Sequence, residues 1–224
     1  MSIKRVYDKE IIDDLSITDD RLFNALDELK IVNKFLGGNS SSAKALKIFC
    51  KSINKNKIDV IDVGAGASDT VYTNHKYINK IISIDKNAGA CKYLKNENTE
   101  AFVICADTSA LPIKNNSIDA VHASLFLHHF TEEELIIIFK EYKRITRYGF
   151  IINDLQRAFI PWIGIKLLTM IFSKSKMVKN DGPLSVKRGF RKKELITLFY
   201  ESGFTKYIIK WRWAFRWIAV VFNK

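Results

Sequence analysis

The sequence predicts an α/β fold: a mostly parallel sheet with helices on both faces. Short apolar runs alternate with helical patterns from Val60 to Ile152. The first of these runs leads into a glycine turn, Gly64-Ala65-Gly66. The chain then closes on two aromatic and β-branched runs between Phe204 and Phe222. Strands that alternate with helices build a parallel sheet covered on both sides.

Before the first strand, Leu22, Ala25, Leu26, Leu29, Val32, Asn33 and Leu36 recur at helical spacing from Asp19 to Leu36. Asp19 suits the N-cap, and Gly37-Gly38 supplies a stop. Asn39-Ser40-Ser41-Ser42 is expected to cap a second helix through about Ile53. Residues 1–54 therefore read as an N-terminal helical cap on a domain spanning 55–224.

Strands are expected at Val60–Val63, Lys80–Asp85, Ala101–Ala106, Ile118–Leu125 and Phe150–Ile152. A helix is expected from Asn87 to Lys95. Another follows the capping box Thr131-Glu132-Glu133-Glu134 and buries Leu135, Ile136, Ile138, Phe139 and Tyr142. Ala158 to Phe172 is nearly all apolar but too short and broken to cross a membrane. It reads as a lid or core helix within an insertion near 155–190. A lipid-facing surface helix is the alternative, because Lys174 and Lys176 follow. A helix over Arg191–Ser202 ends at Gly203, and the last two strands break near Trp213-Ala214.

The 36 Lys and Arg against 24 Asp and Glu give a net charge of +12, so anionic partners have to be considered. Much of that charge decorates polar helix faces, and no RNA-binding module accompanies it, which argues against nucleic acid. Cys50, Cys91 and Cys105 form no paired motif and read as reduced, small core residues of a cytoplasmic chain. The N-terminus shows no apolar secretory stretch.

The chemistry concentrates where strands end. Asp62-Val63-Gly64-Ala65-Gly66 is a strand-to-helix turn whose glycines let backbone approach a ligand. Asp85 ends the next strand, where an acid receives ribose hydroxyls. Asp107 ends the third and could accept an adenine amino group. A dinucleotide fingerprint wants a third glycine, yet Ser68 and Asp69 stand there. Asp69 would repel a pyrophosphate but pair with an ammonium. Together these favour S-adenosylmethionine. Lys86, Thr108 and Ser124 complete the expected cofactor set. His128 and His129 lie just past the fourth strand; one is a candidate general base, with loop orientation or packing as the other reading. Asp154 and Arg157 follow the fifth strand and could bind a polar head group, or else cap a helix and form a surface pair. His122 is expected as a satisfied core histidine and His75 as exposed. No metal site is expected: combining His122, His128 and His129 would draw a ligand from inside a strand.

These segments, with Leu111–Val121 and Leu127-His128-His129-Phe130, resemble the ordered motifs of class I S-adenosylmethionine-dependent methyltransferases. Among them the chain most resembles the small-molecule branch related to ubiquinone and menaquinone methyltransferases. Phe35-Leu36-Gly37-Gly38, Ile152-Asn153-Asp154-Leu155-Gln156-Arg157 and Asp181–Phe190 are similar to bacterial methyltransferases of polyketide and phenolic-lipid biosynthesis. The resemblance implies a Rossmann-like seven-stranded sheet with a final antiparallel hairpin, S-adenosylmethionine as donor and S-adenosylhomocysteine as product. Ser68 departs from the glycine common among relatives. The expected acceptor is a hydrophobic phenolic, polyketide or quinone-like molecule, with O-methylation favoured over C-methylation. The expected state is a monomer or homodimer, with peripheral membrane contact through 158–176. An RNA or protein methyltransferase and a non-catalytic cofactor-binding partner are the competing functions.

Overall fold

A computed structural model describes residues 3–224. Helices α1 (Asp20–Phe35) and α2 (Gly38–Ser52) precede β1 (Ile58–Val63), α3 (Asp69–Tyr72), β2 (Ile78–Asp85), α4 (Ala88–Glu97) and β3 (Phe102–Cys105). Next come β4 (Ile118–Ser124), α5 (Glu132–Ile145), β5 (Thr146–Leu155), α6 (Phe159–Phe172), α7 (Lys176–Arg188) and α8 (Lys192–Glu201). The chain closes on β6 (Lys206–Arg212) and β7 (Arg216–Phe222). Single 3-10 turns occupy Ile11–Asp13 and Leu127–His129. The seven strands form one sheet in the order β3-β2-β1-β4-β5-β7-β6. β7 runs antiparallel to both neighbours, as the final hairpin requires.

Alternate residues of the strands feed two cores. Ile61, Val63, Val121, Phe150 and Ile152 pack against Leu135, Ile138, Phe139 and Tyr142 of α5 and Leu195, Leu198 and Phe199 of α8. Ile58, Val60, Ala120, Ile151 and Val220 face Ala45, Leu46 and Phe49 of α2. A third cluster joins Leu22, Ala25 and Leu26 of α1 to Ala90 and Tyr93 of α4 and to Met177 and Val178 of α7. This third cluster roofs the carboxyl edge of the sheet, where open α/β folds bind ligands.

Several expectations change in detail. The capping box forms as read: Thr131 accepts from Glu134 N, and Glu134 accepts from Thr131 N. Asn39 to Ser42 do not cap α2, which begins at Gly38 behind a left-handed Gly37 (φ 76°). Ser42 is instead buried and bonded to His122 Nε2 at 2.9 Å. β5 runs well beyond Phe150–Ile152 at both ends. α7 was invisible to periodicity because Gly182-Pro183 interrupts its pattern. Cys50 is buried, but Cys105 is exposed because β3 is an edge strand with a solvated face. α6 buries only Thr169 fully, so it is a wall of the structure rather than a core helix.

Candidate functional site

Two hollows meet under α1. The larger, about 550 Å³, runs along the ends of β1, β2 and β3. It is lined by Asp62, Gly64, Ala65, Gly66, Asp69, Asp85, Lys86, Asp107, Thr108 and Ser124, so the whole expected cofactor set faces one groove. Phe126, Leu26 and Asn33 also line it; in the sequence Leu26 and Asn33 stand out only as helix-face residues.

The turn after β1 explains its own residues. Gly64 sits at φ +57°, and a Cβ there would lie 2.0 Å from the Phe126 ring. Ser68, the irregular position, is also left-handed (φ 51°). Its hydroxyl donates to Asp62 in a short hydrogen bond and lies 3.2 Å from Ser83 Oγ. The other Asp62 oxygen meets His122 Nδ1 at 2.7 Å. Asp62 thus braces the loop from behind, with both oxygens already engaged. His122, fully buried between Asp62 and Ser42, is the satisfied core histidine expected, and His75 is exposed.

The other acids present free capacity. Asp85 accepts from Gly66 N and Asn87 N, each at 2.9 Å, and burial pushes its carboxyl up from the ordinary value. Asp107 accepts from Lys86 Nζ at 2.7 Å and from Ser109, which hold its carboxyl down at about 2. Thr108 Oγ1 lies 3.0 Å from Tyr142 OH, and Ser124 Oγ accepts from Asn153 Nδ2 at 3.2 Å. Asp69 accepts from Asn33 Nδ2 at 3.3 Å through Oδ1, while its Oδ2 is buried without a partner. Burial, with Asp62 nearby, raises its pKa to about 6. A buried, unpartnered carboxylate oxygen in this groove fits an incoming ammonium.

The second hollow, about 330 Å³, is enclosed by α1, α6, α7 and the β6–β7 turn. Its walls are apolar: Leu29, Val32, Ile165, Leu168, Val178 and Val186 among them. It shares Ile12, Leu29, Leu125 and His129 with the groove, so the two compartments adjoin. Its polar lining is Glu10, His128, His129, Thr169, Asp181, Ser185 and the buried Arg216.

His128 is buried with Nδ1 2.7 Å from Asp154 Oδ1. Burial pulls the imidazole down, but Asp154 and Glu10 outweigh it and lift the pKa to about 9. Asp154 also accepts from the backbone N–H of Leu127, His128 and Leu155. Burial opposes its ionisation, yet His128 holds its carboxyl low. Asp154 lines neither hollow, so the head-group role expected of it gives way to positioning His128 and its 3-10 turn. Arg157 also lines neither hollow. It is buried against Glu194, Gly189 O and Ile3 O, tying the start of α8 to β5, so neither a head-group role nor a surface pair describes it. His129 Nδ1 lies 2.6 Å from Asp13 Oδ1.

Glu10, Asp13 and Arg188 were missed by sequence reading. Glu10 and Asp13 lie in a stretch with no periodicity, and only folding brings them beside a turn more than a hundred residues away. Arg188 donates to His128 O, His129 O, Asp8 O and Asp13 Oδ2, locking the N-terminal segment onto that turn.

The family profile described as a methyltransferase domain matches residues 61–152, from β1 to the middle of β5. No curated protein matches the sequence. Among solved structures, a plantazolicin methyltransferase in complex with S-adenosylhomocysteine aligns with TM-score 0.66 at 13% identity, covering 94% of this chain and 96% of that one. A Thermotoga maritima S-adenosylmethionine-dependent methyltransferase, described as a possible histamine N-methyltransferase, aligns with TM-score 0.64 at 15% identity, covering 91% and 97%. The magnesium protoporphyrin IX methyltransferase of Synechocystis, with bound S-adenosylhomocysteine, aligns with TM-score 0.60 at 14% identity, covering 93% and 99%. At such identities the likeness is one of fold.

Proposed function

We infer that this S-adenosylmethionine-dependent methyltransferase passes its methyl group to a hydrophobic small molecule: a phenolic, polyketide-derived or quinone-like compound, with oxygen favoured over carbon as the acceptor atom. The observation that carries this reading is the mostly apolar cavity beside the cofactor groove, whose charged lining is confined to two acids, two imidazoles and the buried Arg216. Pockets of that kind hold an apolar body and orient it by a few polar contacts. The motif resemblance to the ubiquinone and menaquinone branch points to the same acceptor class.

On this reading the groove residues divide the donor among them. Asp85 takes the ribose hydroxyls, Asp107 the adenine amino group and Asp69 the amino-acid ammonium. The backbone of Gly64 to Gly66 passes beneath the ligand, with Lys86, Thr108 and Ser124 on its flanks. When bound, the donor supplies an electrophilic methyl on a sulfonium sulfur. The protein therefore has to align the acceptor and handle its proton. Glu10 Oε1 and His128 Nε2, buried 3.6 Å apart and without hydrogen bonds, receive the acceptor hydroxyl, and His129 borders both compartments. The cap (1–54) and the insertion (155–190) act together as the acceptor's enclosure. A panel of alkyl-phenols and alkyl-resorcinols, analysed by mass spectrometry, should yield a product 14 Da heavier (one CH₂ added). Turnover of water-soluble acids alone would sink the reading.

Asp69 makes the donor step pH-dependent. Only its ionised form pairs with an ammonium, and its raised value near 6 means protonation begins just below neutrality. Affinity for S-adenosylhomocysteine should hold above pH 7 and fall as pH drops through 6, by about tenfold at pH 5. Calorimetry from pH 7.5 to 5 checks this. Asp69→Asn should flatten the profile at the weaker level, and an equally steep profile in that variant would remove Asp69 from the role.

α6 serves two sides at once. Ile160, Ile165 and Leu168 face the cavity. Ile163, Leu167, Met170, Ile171 and Phe172 are exposed, beside exposed Lys166, Lys174 and Lys176. No helix among the described residues is long and apolar enough to cross a membrane. An apolar face edged by lysines suits peripheral contact with anionic lipid, where a hydrophobic acceptor would dissolve. Cosedimentation with phosphatidylglycerol vesicles should be salt-sensitive and lost in Leu167→Gln/Ile171→Gln. Equal binding by that variant counts against the contact.

A further inference from the structure

We propose that Glu10, His128 and His129 form a binding site for a divalent cation of the borderline kind that accepts nitrogen ligands, with Zn²⁺ as the model ion. The three side chains come from two distant stretches of chain: the N-terminal segment and the turn after β4. Glu10 Oε1 lies 3.6 Å from His128 Nε2, and Glu10 Oε2 lies 4.0 Å from His129 Nε2. One ligand atom from each residue falls within 4.8 Å of the others. A tetrahedral ion about 2.0–2.1 Å from each ligand would set those atoms roughly 3.4 Å apart. One edge of that triangle, Glu10 Oε1 to His128 Nε2, is nearly in place, and the others are at most 4.8 Å long.

Two further observations point to a ligand. Glu10 Oε1 and His128 Nε2 are both buried and both lack a hydrogen-bond partner, although they face each other. Buried polar atoms are rarely left so, and a slot between a carboxylate and an imidazole nitrogen is a place for something to bridge them. The second observation is the outer support. Each imidazole is held at Nδ1 by a carboxylate: His128 by Asp154 at 2.7 Å and His129 by Asp13 at 2.6 Å. With Nδ1–H donated outward, each Nε2 is the ring nitrogen turned to the shared slot, where an ion would take the place of a proton. This carboxylate–imidazole arrangement orients histidine ligands around metals and raises their basicity. Ser185 Oγ donates to Glu10 Oε2 at 2.8 Å and fixes the third ligand.

The local charge is consistent with a cation. Four carboxylates, Glu10, Asp13, Asp154 and Asp181, gather here. Facing them are Arg188, 3.8 Å from Glu10, and the buried Arg216. Two imidazoles favour Zn²⁺-like ions over Mg²⁺ or Ca²⁺, which prefer all-oxygen shells. Three protein ligands leave a fourth position open, the pattern of zinc sites that act on a bound molecule. All three ligand residues line the apolar cavity. Ion binding rests on the cluster alone; only its use, holding the acceptor oxygen in place of direct contact with Glu10 Oε1 and His128 Nε2, rests on the acceptor reading above.

The test is calorimetry of ZnCl₂ into the chelator-treated full chain, with Co²⁺ absorption as the spectroscopic readout. Expected are one saturable equivalent and the intense visible bands of a four-coordinate Co²⁺ site. Glu10→Gln and His129→Ala should each weaken binding about tenfold or more while S-adenosylhomocysteine still binds, which shows that they fold. His75→Ala, at an exposed histidine, should change neither. No saturable uptake, or the same affinity in Glu10→Gln and His129→Ala as in the parent, overturns the site. Turnover of a phenolic acceptor that is unchanged by chelation, with no ion bound, sinks this inference and leaves the proposed function standing. Tight ion binding with no hydrophobic acceptor turned over does the reverse.

Discussion

Asp85→Ala should weaken S-adenosylhomocysteine binding by about a hundredfold and also lower the melting temperature. The carboxylate does two jobs from the end of β2. One is internal: its oxygens accept from Gly66 N and Asn87 N, pinning the glycine turn against the start of α4. Removing it strands two N–H groups, each costing about 1–3 kcal/mol where water cannot replace the bond. The other is external, two charge-assisted hydrogen bonds to ribose hydroxyls, worth roughly 1.5–3 kcal/mol together once desolvation is counted. Tenfold in affinity is about 1.4 kcal/mol, so the external loss and a loosened turn together give the stated drop. Asp85→Asn separates the jobs. It keeps the shape and one acceptor oxygen, so stability should recover more than affinity does. Calorimetry and thermal unfolding of both variants decide it, and an Asp85→Ala affinity within threefold of the parent would take the residue out of the ribose role.

What could be read from sequence follows the range of the interactions. β1, its glycine turn and the acids ending β2 and β3 are local: each needs only an apolar run and the residue that terminates it. Asp62, Asp85 and Asp107 were therefore identifiable, and all three face one groove. The capping box before α5 was readable for the same reason. The acceptor end was only half readable. His128 and His129 announce themselves by chemistry and position after a strand. Glu10, Asp13 and Arg188 meet them only through contacts between distant stretches of chain, and no periodic signal marks those residues. α7 stayed hidden because its Gly-Pro pair argues locally against a helix that α6 and the 3-10 turn at Ile11–Asp13 support by packing. Arg157 shows the opposite error. A charged residue just past a strand end looks like a ligand binder until its partner, Glu194, is seen to lie 37 positions away in sequence.

Asp154→Asn should reduce turnover by about a hundredfold to ten-thousandfold while leaving donor affinity nearly unchanged. Asp154 touches neither compartment, so it acts through His128. It accepts from His128 Nδ1 and from the backbone N–H of Leu127, His128 and Leu155, setting the ring's orientation and which nitrogen faces the cavity. An amide keeps the shape but removes the charge, and its NH₂ would oppose an N–H donor. The imidazole then loses the partner that raises its proton affinity, and a positioned group that handles a proton contributes about 10²–10⁴. Because the pair is fully buried, losing one partner also leaves charge uncompensated, at about 3–5 kcal/mol, a large share of an ordinary domain's stability. The assay therefore has to run below the variant's melting temperature. Under those conditions a positioning role predicts a fall in kcat, with the Kd of S-adenosylhomocysteine within about threefold of the parent. A purely structural role predicts that kcat per folded molecule is retained. His128→Ala combined with Asp154→Asn should lose little more than either alone, since the two act as one unit. Additive losses would separate them, and would leave His129, with Asp13 behind it, as the imidazole that handles the acceptor.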